Sequence, residues 1–226
     1  MATDMEKLEY VIFERLHRRA PGIDKLDNLW EAAVLLPLVD TPDGISVLFE
    51  ERSHKLRRQP GEVCFPGGHY ECTDKNFRNT AVRETCEELG LASSDIKVCG
   101  QLDALVAFHG PIIHPFVGLL KDLGKVTYSK DEVEQVFTVP LKVLLAQTPQ
   151  RSSILLAERP GDDFPFNLVP QRSKTWRRNR EYYIYFYTYK GHVIWGLTAR
   201  ILYAFLYRGR KELEAFLAAG ERSDKV

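Results

Sequence analysis

Residues 67–91 read GGHYECTDKNFRNTAVRETCEELGL, and the order of residue types here defines both an element and its use. A helix is expected over 74–89, with Thr73 or Asp74 as N-cap and Gly90 as a left-handed stop. Phe77, Ala81, Val82, Thr85 and Leu89 then form one stripe, while Glu84, Glu87 and Glu88, at i, i+3 and i+4, share another face. The apolar stripe can pack on a sheet and leave the acidic face lining a cleft. Three carboxylates on one face repel one another unless a cation sits among them. Hard oxygen donors favour Mg²⁺ or Mn²⁺, and Mg²⁺ held by few carboxylates shares its sphere with water and a phosphorylated substrate. Glu84, Glu87 and Glu88 are therefore the candidate metal ligands. Gly67 and Gly68 allow close approach of backbone to a ligand. Arg83 can pair with Glu87, four residues on, and fix it in ligand geometry. An acidic helix face is often only a solvated surface; the glycine pair and the adjacent arginine favour a site.

Working outward, residues 31–39 (EAAVLLPLV) form an apolar run of strand length, and Thr41-Pro42-Asp43-Gly44 marks a turn into a second strand over 45–51. A loop rich in Arg, Gln, Pro and Gly follows, then a short strand over 63–65. Further strands are expected at 98–106, 112–120, 135–139, 153–156 and 182–189. Helices are expected at 4–19, where Leu8, Val11, Ile12 and Leu16 share a stripe, at 140–145, and at 196–217, weakened by Gly209. Pro21-Gly22 ends the first. Residues 157–181 read as a surface excursion. The pattern describes one domain over 1–226 with its core at about 30–207: an α+β fold, a mixed sheet flanked by helices in an α/β/α sandwich.

Composition bounds the partners. With 31 Lys+Arg against 31 Asp+Glu in 226 residues, no net field favours nucleic acid or an anionic membrane. No segment reads as a signal peptide or a membrane span, so the location expected is cytoplasmic. The C-terminal Ser-Asp-Lys-Val is not an S-K-L-like peroxisomal signal. Cys64, Cys72, Cys86 and Cys99 lack zinc-site spacing and read as reduced thiols.

The segment Arg83-Glu84-x-x-Glu87-Glu88-x-Gly90-Leu91 closely resembles the Nudix box, G-x5-E-x7-R-E-U-x-E-E-x-G-U. It departs in having Asp74 at the first Glu, one more residue before Arg83, and Thr85 at the first aliphatic place. Upstream, Arg52-Ser53, Arg57, Gly61 and Phe65-Pro66-Gly67-Gly68 resemble the signature of the coenzyme A diphosphatase branch, L-L-T-x-R-S/A-x3-R-x3-G-x3-F-P-G-G. Phe49 and Glu50 depart at its second and third places. Weaker echoes occur at 114–118, 132–141 and 194–199.

The resemblance implies the Nudix fold and metal-dependent hydrolysis of the coenzyme A diphosphate to 3′,5′-ADP and 4′-phosphopantetheine. Arg83, Glu84, Glu87 and Glu88 would carry catalysis, with Mg²⁺ or Mn²⁺ on the three glutamates. Arg52, Arg57, Gly67 and Gly68 would hold substrate. Glu132, ahead of a strand, resembles an acid that adds a metal contact or activates water. The alternatives are another nucleoside diphosphate derivative (ADP-ribose, NADH or a dinucleoside polyphosphate) or a non-catalytic nucleotide-binding regulator. Lys55 and Arg58 read as solvated loop, and His114 as a strand end. The aromatic run at 182–189 reads as core or a homodimer interface. The basic residues Arg172, Lys174, Arg177, Arg178 and Arg180 stay open between the 3′-phosphate and solvent.

Overall fold

EAAVLLPLV carries apolar side chains on both faces, the composition of a strand covered from two sides. In the computed structural model, which describes residues 3–17, 30–107, 110–169 and 174–223, this segment lies inside a mixed sheet. The chain runs α1 (Asp4–Leu16), β1 (Glu31–Val39), β2 (Ser46–Arg52), β3 (Val63–Cys64), β4 (Gly67–His69), α2 (Phe77–Leu89), β5 (Ile96–Gln101), β6 (Leu105–Val106) and β7 (Ile112–Leu120). It continues through β8 (Val133–Pro140), α3 (Leu141–Ala146), β9 (Gln150–Glu158), β10 (Arg177–Tyr189), β11 (His192–Trp195), α4 (Gly196–Arg208) and α5 (Arg210–Ser223).

The main sheet follows the order β3-β2-β1-β7-β5, with β4 also paired to β1, β6 to β7 and β8 to β2. β1 and β7 are parallel, Leu35 facing Phe116, while β1 meets β2 antiparallel through Leu38 and Val47. Alternation along β1 divides the core. Ala33, Leu35 and Val39 meet Ala81 and Leu89 of α2 on one face. Leu36, with Val34 and Leu38, meets α3, α4 and strands β10 and β11 on the other. Pro37, which cannot donate to a ladder, falls between the stretch paired with β4 and the stretch paired with β2.

Several expected bounds shift. The α2 N-cap is Asn76, whose side chain accepts from Asn79 N at 3.0 Å, not Thr73 or Asp74. Asp74 instead ends a single helical turn, Cys72–Asp74. The strand expected over 98–106 splits into β5 and β6. The terminal helix breaks at Gly209 into α4 and α5, consistent with the helix cost of glycine. β9, β10 and β11 form a separate antiparallel three-stranded sheet, so one covering layer is part sheet and part helix. Leu8, Val11 and Ile12 of α1 stay exposed. Residues 18 and 19 of the expected first helix, and Pro21-Gly22, lie outside the described residues.

Candidate active site

The acidic face of α2 is organised by one cation, Arg83. Its Nε donates to Asp74 Oδ1 at 2.8 Å and its Nη2 to Asp74 Oδ2 at 3.1 Å. The same guanidinium reaches Glu87 Oε2 and Glu84 Oε1, each at 3.0 Å, and donates to the His69 carbonyl at 3.0 Å. Its principal partner is therefore Asp74, whose carboxyl also accepts from Thr80 Oγ1 and the Glu71 backbone N–H. Glu87 is one of three carboxylates on Arg83 rather than the main one. The Arg83 hydrogen bonds, chiefly, hold the Asp74 carboxyl down at about 2.

β4 brings the glycine pair against this face. Gly67 N–H donates to Glu88 Oε2 at 2.8 Å. Gly67 adopts φ +155°, and an added Cβ there would overlap the β1 backbone; at Gly68 it would overlap the Glu84 carboxylate. At Gly67 nothing larger fits against the β1 backbone, whereas at Gly68 a side chain would have to push the Glu84 carboxylate aside.

A further carboxylate joins them, at the third signature place, where the motif carries threonine. Glu50 on β2 is 1% exposed, its Oε1 accepts from Cys64 Sγ at 3.2 Å, and its Oε2 has no hydrogen-bond partner. Burial, then the charge of neighbouring carboxylates, raises Glu88 to about 9, and burial above all raises Glu50 to about 7. Burial also raises Glu84. The signal available in the sequence was alternation: Ser46, Leu48 and Glu50 share a face of β2, and Leu48 packs under α2.

Gly67 and Gly68 also line a cleft of about 590 Å³. Arg52 and Arg58 stand on its basic side; Trp30, Ile113, Trp195 and Leu197 make an apolar wall. Arg57 is exposed and does not line it, whereas Arg58, read as solvated loop, does. Lys55 pairs at the surface with Asp131 at 2.7 Å. Glu132 is exposed just before β8, its carbonyl accepting from Ser53 N–H at 2.9 Å, and its charge acts on Glu50.

Other candidates fall elsewhere. His114 lies within β7, stacked on Phe77 at 3.6 Å and 3.3 Å from Glu31. In the aromatic run, Tyr187 is buried core and Tyr185 stacks on Tyr203 at 4.4 Å; none of the run lines the cleft. Lys174, Arg177 and Arg178 are exposed and away from the cleft lining. Arg172 and the side chain of Arg180 lie outside the described residues. All four cysteines are free. Cys86 is raised first by burial and only then by Glu87.

A divalent cation can be tested against this donor set. Among the described residues no three His, Cys, Asp or Glu side chains stand gathered as a ready-made cage. The chemistry nevertheless fits. The donors are all hard oxygens, burial first of all pushes three of them toward protonation, and one buried oxygen is orphaned.

A glycine-floored cleft of this size beside an acidic helix is the geometry of a small-molecule enzyme. Among the described residues no helix is long and apolar enough to cross a membrane. The NUDIX domain profile matches residues 29–158. The chain is 34% identical over 177 residues to "Uncharacterized Nudix hydrolase NudL" of Photorhabdus laumondii, covering 78% of this chain and 83% of that protein. It is 43% identical over 131 residues to "Peroxisomal coenzyme A diphosphatase ndx-8" of Caenorhabditis elegans (57% of this chain, 56% of that one). It is 39% identical over 113 residues to "Peroxisomal coenzyme A diphosphatase NUDT7" of Mus musculus (50% and 48%). The matches thus span about half of these two diphosphatases. The chain belongs to the Nudix hydrolase family.

Proposed function

We propose that this hydrolase cleaves the diphosphate of coenzyme A or a coenzyme A thioester, releasing 3′,5′-ADP and the 4′-phosphopantetheine half. The observation that carries the reading is the meeting of Arg52, Gly67 and Gly68 at one cleft floor, with Glu84 and Glu88 in contact with those glycines. Support also comes from the similarity to two proteins named coenzyme A diphosphatases.

Glu84, Glu87 and Glu88 would hold Mg²⁺ or Mn²⁺. When bound, such an ion neutralises phosphate charge and lowers the pKa of a coordinated water. Arg52 and Arg58 supply charge-assisted hydrogen bonds to phosphate oxygens. Gly67 and Gly68 admit the diphosphate without a side chain intervening. Arg83 orients Glu84 and Glu87. A water oxygen bonds to phosphorus, the bridging P–O bond breaks, and the water's proton passes to a carboxylate, for which Glu132 is the candidate. Arg57, outside the cleft lining, would engage an outer phosphate.

Incubation with CoA, acetyl-CoA, ADP-ribose and NADH plus Mg²⁺, with products identified by mass, tests the substrate. Adenosine 3′,5′-diphosphate from CoA or acetyl-CoA is expected; vigorous ADP-ribose cleavage with both coenzyme A forms untouched would overturn it. Glu88→Gln is expected to lower kcat by about 10³-fold or more, as loss of a group acting on the transition state does. Unchanged turnover would remove the glutamate from catalysis.

A further inference from the structure

Glu50 stands where the diphosphatase signature carries threonine, so whatever it does belongs to this chain and not to the shared motif. It is 1% exposed, and its Oε2 lies buried without a hydrogen-bond partner. A carboxylate oxygen so placed is rare unless a cation or a donor completes it. The strand fixes its direction. Leu48, two residues earlier on the same face of β2, packs with Ala81 and Leu89 of α2, so Glu50 points to the side of the sheet that α2 covers. The ladder sets Glu50 opposite Cys64 on β3, and the Cys64 thiol occupies its Oε1 at 3.2 Å. Glu84 and Glu88 of α2 are within electrostatic reach. Arg52, also within reach, places its Nε 3.4 Å from the Arg58 carbonyl and leaves Oε2 unpaired.

We propose that Glu50 is a fourth carboxylate donor to the divalent cation of this site, contributing Oε2 from the sheet side while Glu84, Glu87 and Glu88 contribute from the helix. The inference rests on the metal-dependent reading of the site. It gives the departure at the third signature place a chemical role: an anionic oxygen replaces a neutral hydroxyl in the metal's surroundings, which strengthens attraction for a hard dication. The competing role is structural, a buried acid that only accepts from Cys64.

Mn²⁺ binding separates the two. The chelator-stripped protein is titrated with Mn²⁺ alone, the free ion being followed by its paramagnetic resonance signal, for the parent chain, Glu50→Gln, Glu50→Thr and Glu88→Gln. Glu50→Gln and Glu50→Thr are expected to bind Mn²⁺ about tenfold or more weakly, the range over which loss of a metal-supporting group acts. Thermal melting gives an independent readout. In chelator the two Glu50 variants should melt at or above the parent temperature, because an unpaired buried carboxylate has gone, yet gain less on adding Mn²⁺. Parent-like Mn²⁺ affinity in both, or lower melting in chelator with an unchanged Mn²⁺ increment, overturns the role of Glu50 and leaves the trio standing. Failure of the parent chain itself to bind Mn²⁺ overturns the metal reading together with this one. If Glu50→Gln fails to fold, Glu50→Thr, the signature residue, decides.

Discussion

Arg83 shows how one side chain turns a row of repelling acids into an arrangement. Asp74 is 5% exposed and shares two hydrogen bonds with Arg83, so removing its charge strands part of a guanidinium that is itself mostly covered. Asp74→Asn is expected to cost about 2–4 kcal/mol at neutral pH, near the range for breaking a buried pair and reduced because Arg83 keeps Glu84 and Glu87. The Asp74 carboxyl titrates lower in the fold than its ordinary value of 3.8, at about 2. Its contribution is therefore fully present above about pH 4 and is lost as pH falls toward 2. Urea midpoints of the two proteins should differ clearly at pH 7 and converge near pH 2; a gap that persists in acid would show that Asp74 acts by packing. Gly68→Ala makes a complementary case. The added methyl displaces the end of a side chain rather than backbone, so folding should survive, while a carboxylate moved by an ångström can cost about a hundredfold in turnover. Normal turnover in Gly68→Ala would remove Glu84 from the reacting geometry. Spacing made Arg83–Glu87 legible in advance, because i+4 contacts follow from helix geometry. Asp74 was not, because its approach depends on a turn outside the helix.

At the scale of the element, α2 was readable because stripe, acidic face and stop signal agree. Gly90 adopts φ +62°, and an added Cβ would overlap Thr127. Gly90→Ala should therefore destabilise by about 1–2 kcal/mol from the left-handed backbone alone, measurable as a lower urea midpoint. β1 and β7 were readable for a similar reason, long apolar runs with turn signals around them. The strand expected over 98–106 was not, because the ladder starts at Ile96 and breaks between Gln101 and Leu105, and side-chain alternation carries no warning of the break. β11 has four residues, too few for a pattern. The meeting of α2 with β2 also sets a pH response. Glu88 and Glu50 titrate at about 9 and about 7 in the fold against 4.5 ordinarily, so the folded chain holds more protons than the unfolded one. Without metal, these two groups should make stability fall as pH rises from about 4.5 to about 9. Melting in chelator should be lower at pH 9 than at pH 6, with Mg²⁺ or Mn²⁺ reducing the slope. A flat profile in chelator would mean the two carboxylates are better solvated than their burial states.

Across the whole molecule, the cleft joins parts of the chain that the sequence keeps far apart. The family profile ends at residue 158, yet Trp195, Gly196, Leu197 and Thr198 face the same space as Gly67 and Arg52. The short echo at 194–199 was the trace of this wall in the sequence; its place across the cleft follows only from folding, because β11 joins β10 and α4 packs on the face of the main sheet opposite α2. The division of labour that results can be tested. Under the proposed function, acids on α2 would act on the reacting bond, whereas Trp195, which stacks at 6.2 Å on Phe186 from the neighbouring strand, would offer a fixed apolar surface to whatever part of the substrate extends past the diphosphate. A group that binds ground state and transition state alike changes KM and leaves kcat alone. Trp195→Ala should then raise KM about tenfold, or ~1.4 kcal/mol, with kcat within about twofold of the parent. Glu88→Gln should show the reverse pattern, a loss mainly in kcat. A Trp195→Ala enzyme that loses kcat at unchanged KM would place the tryptophan at the chemistry instead of on the binding wall, and the reacting diphosphate would then lie toward α4 and not over the glycine pair.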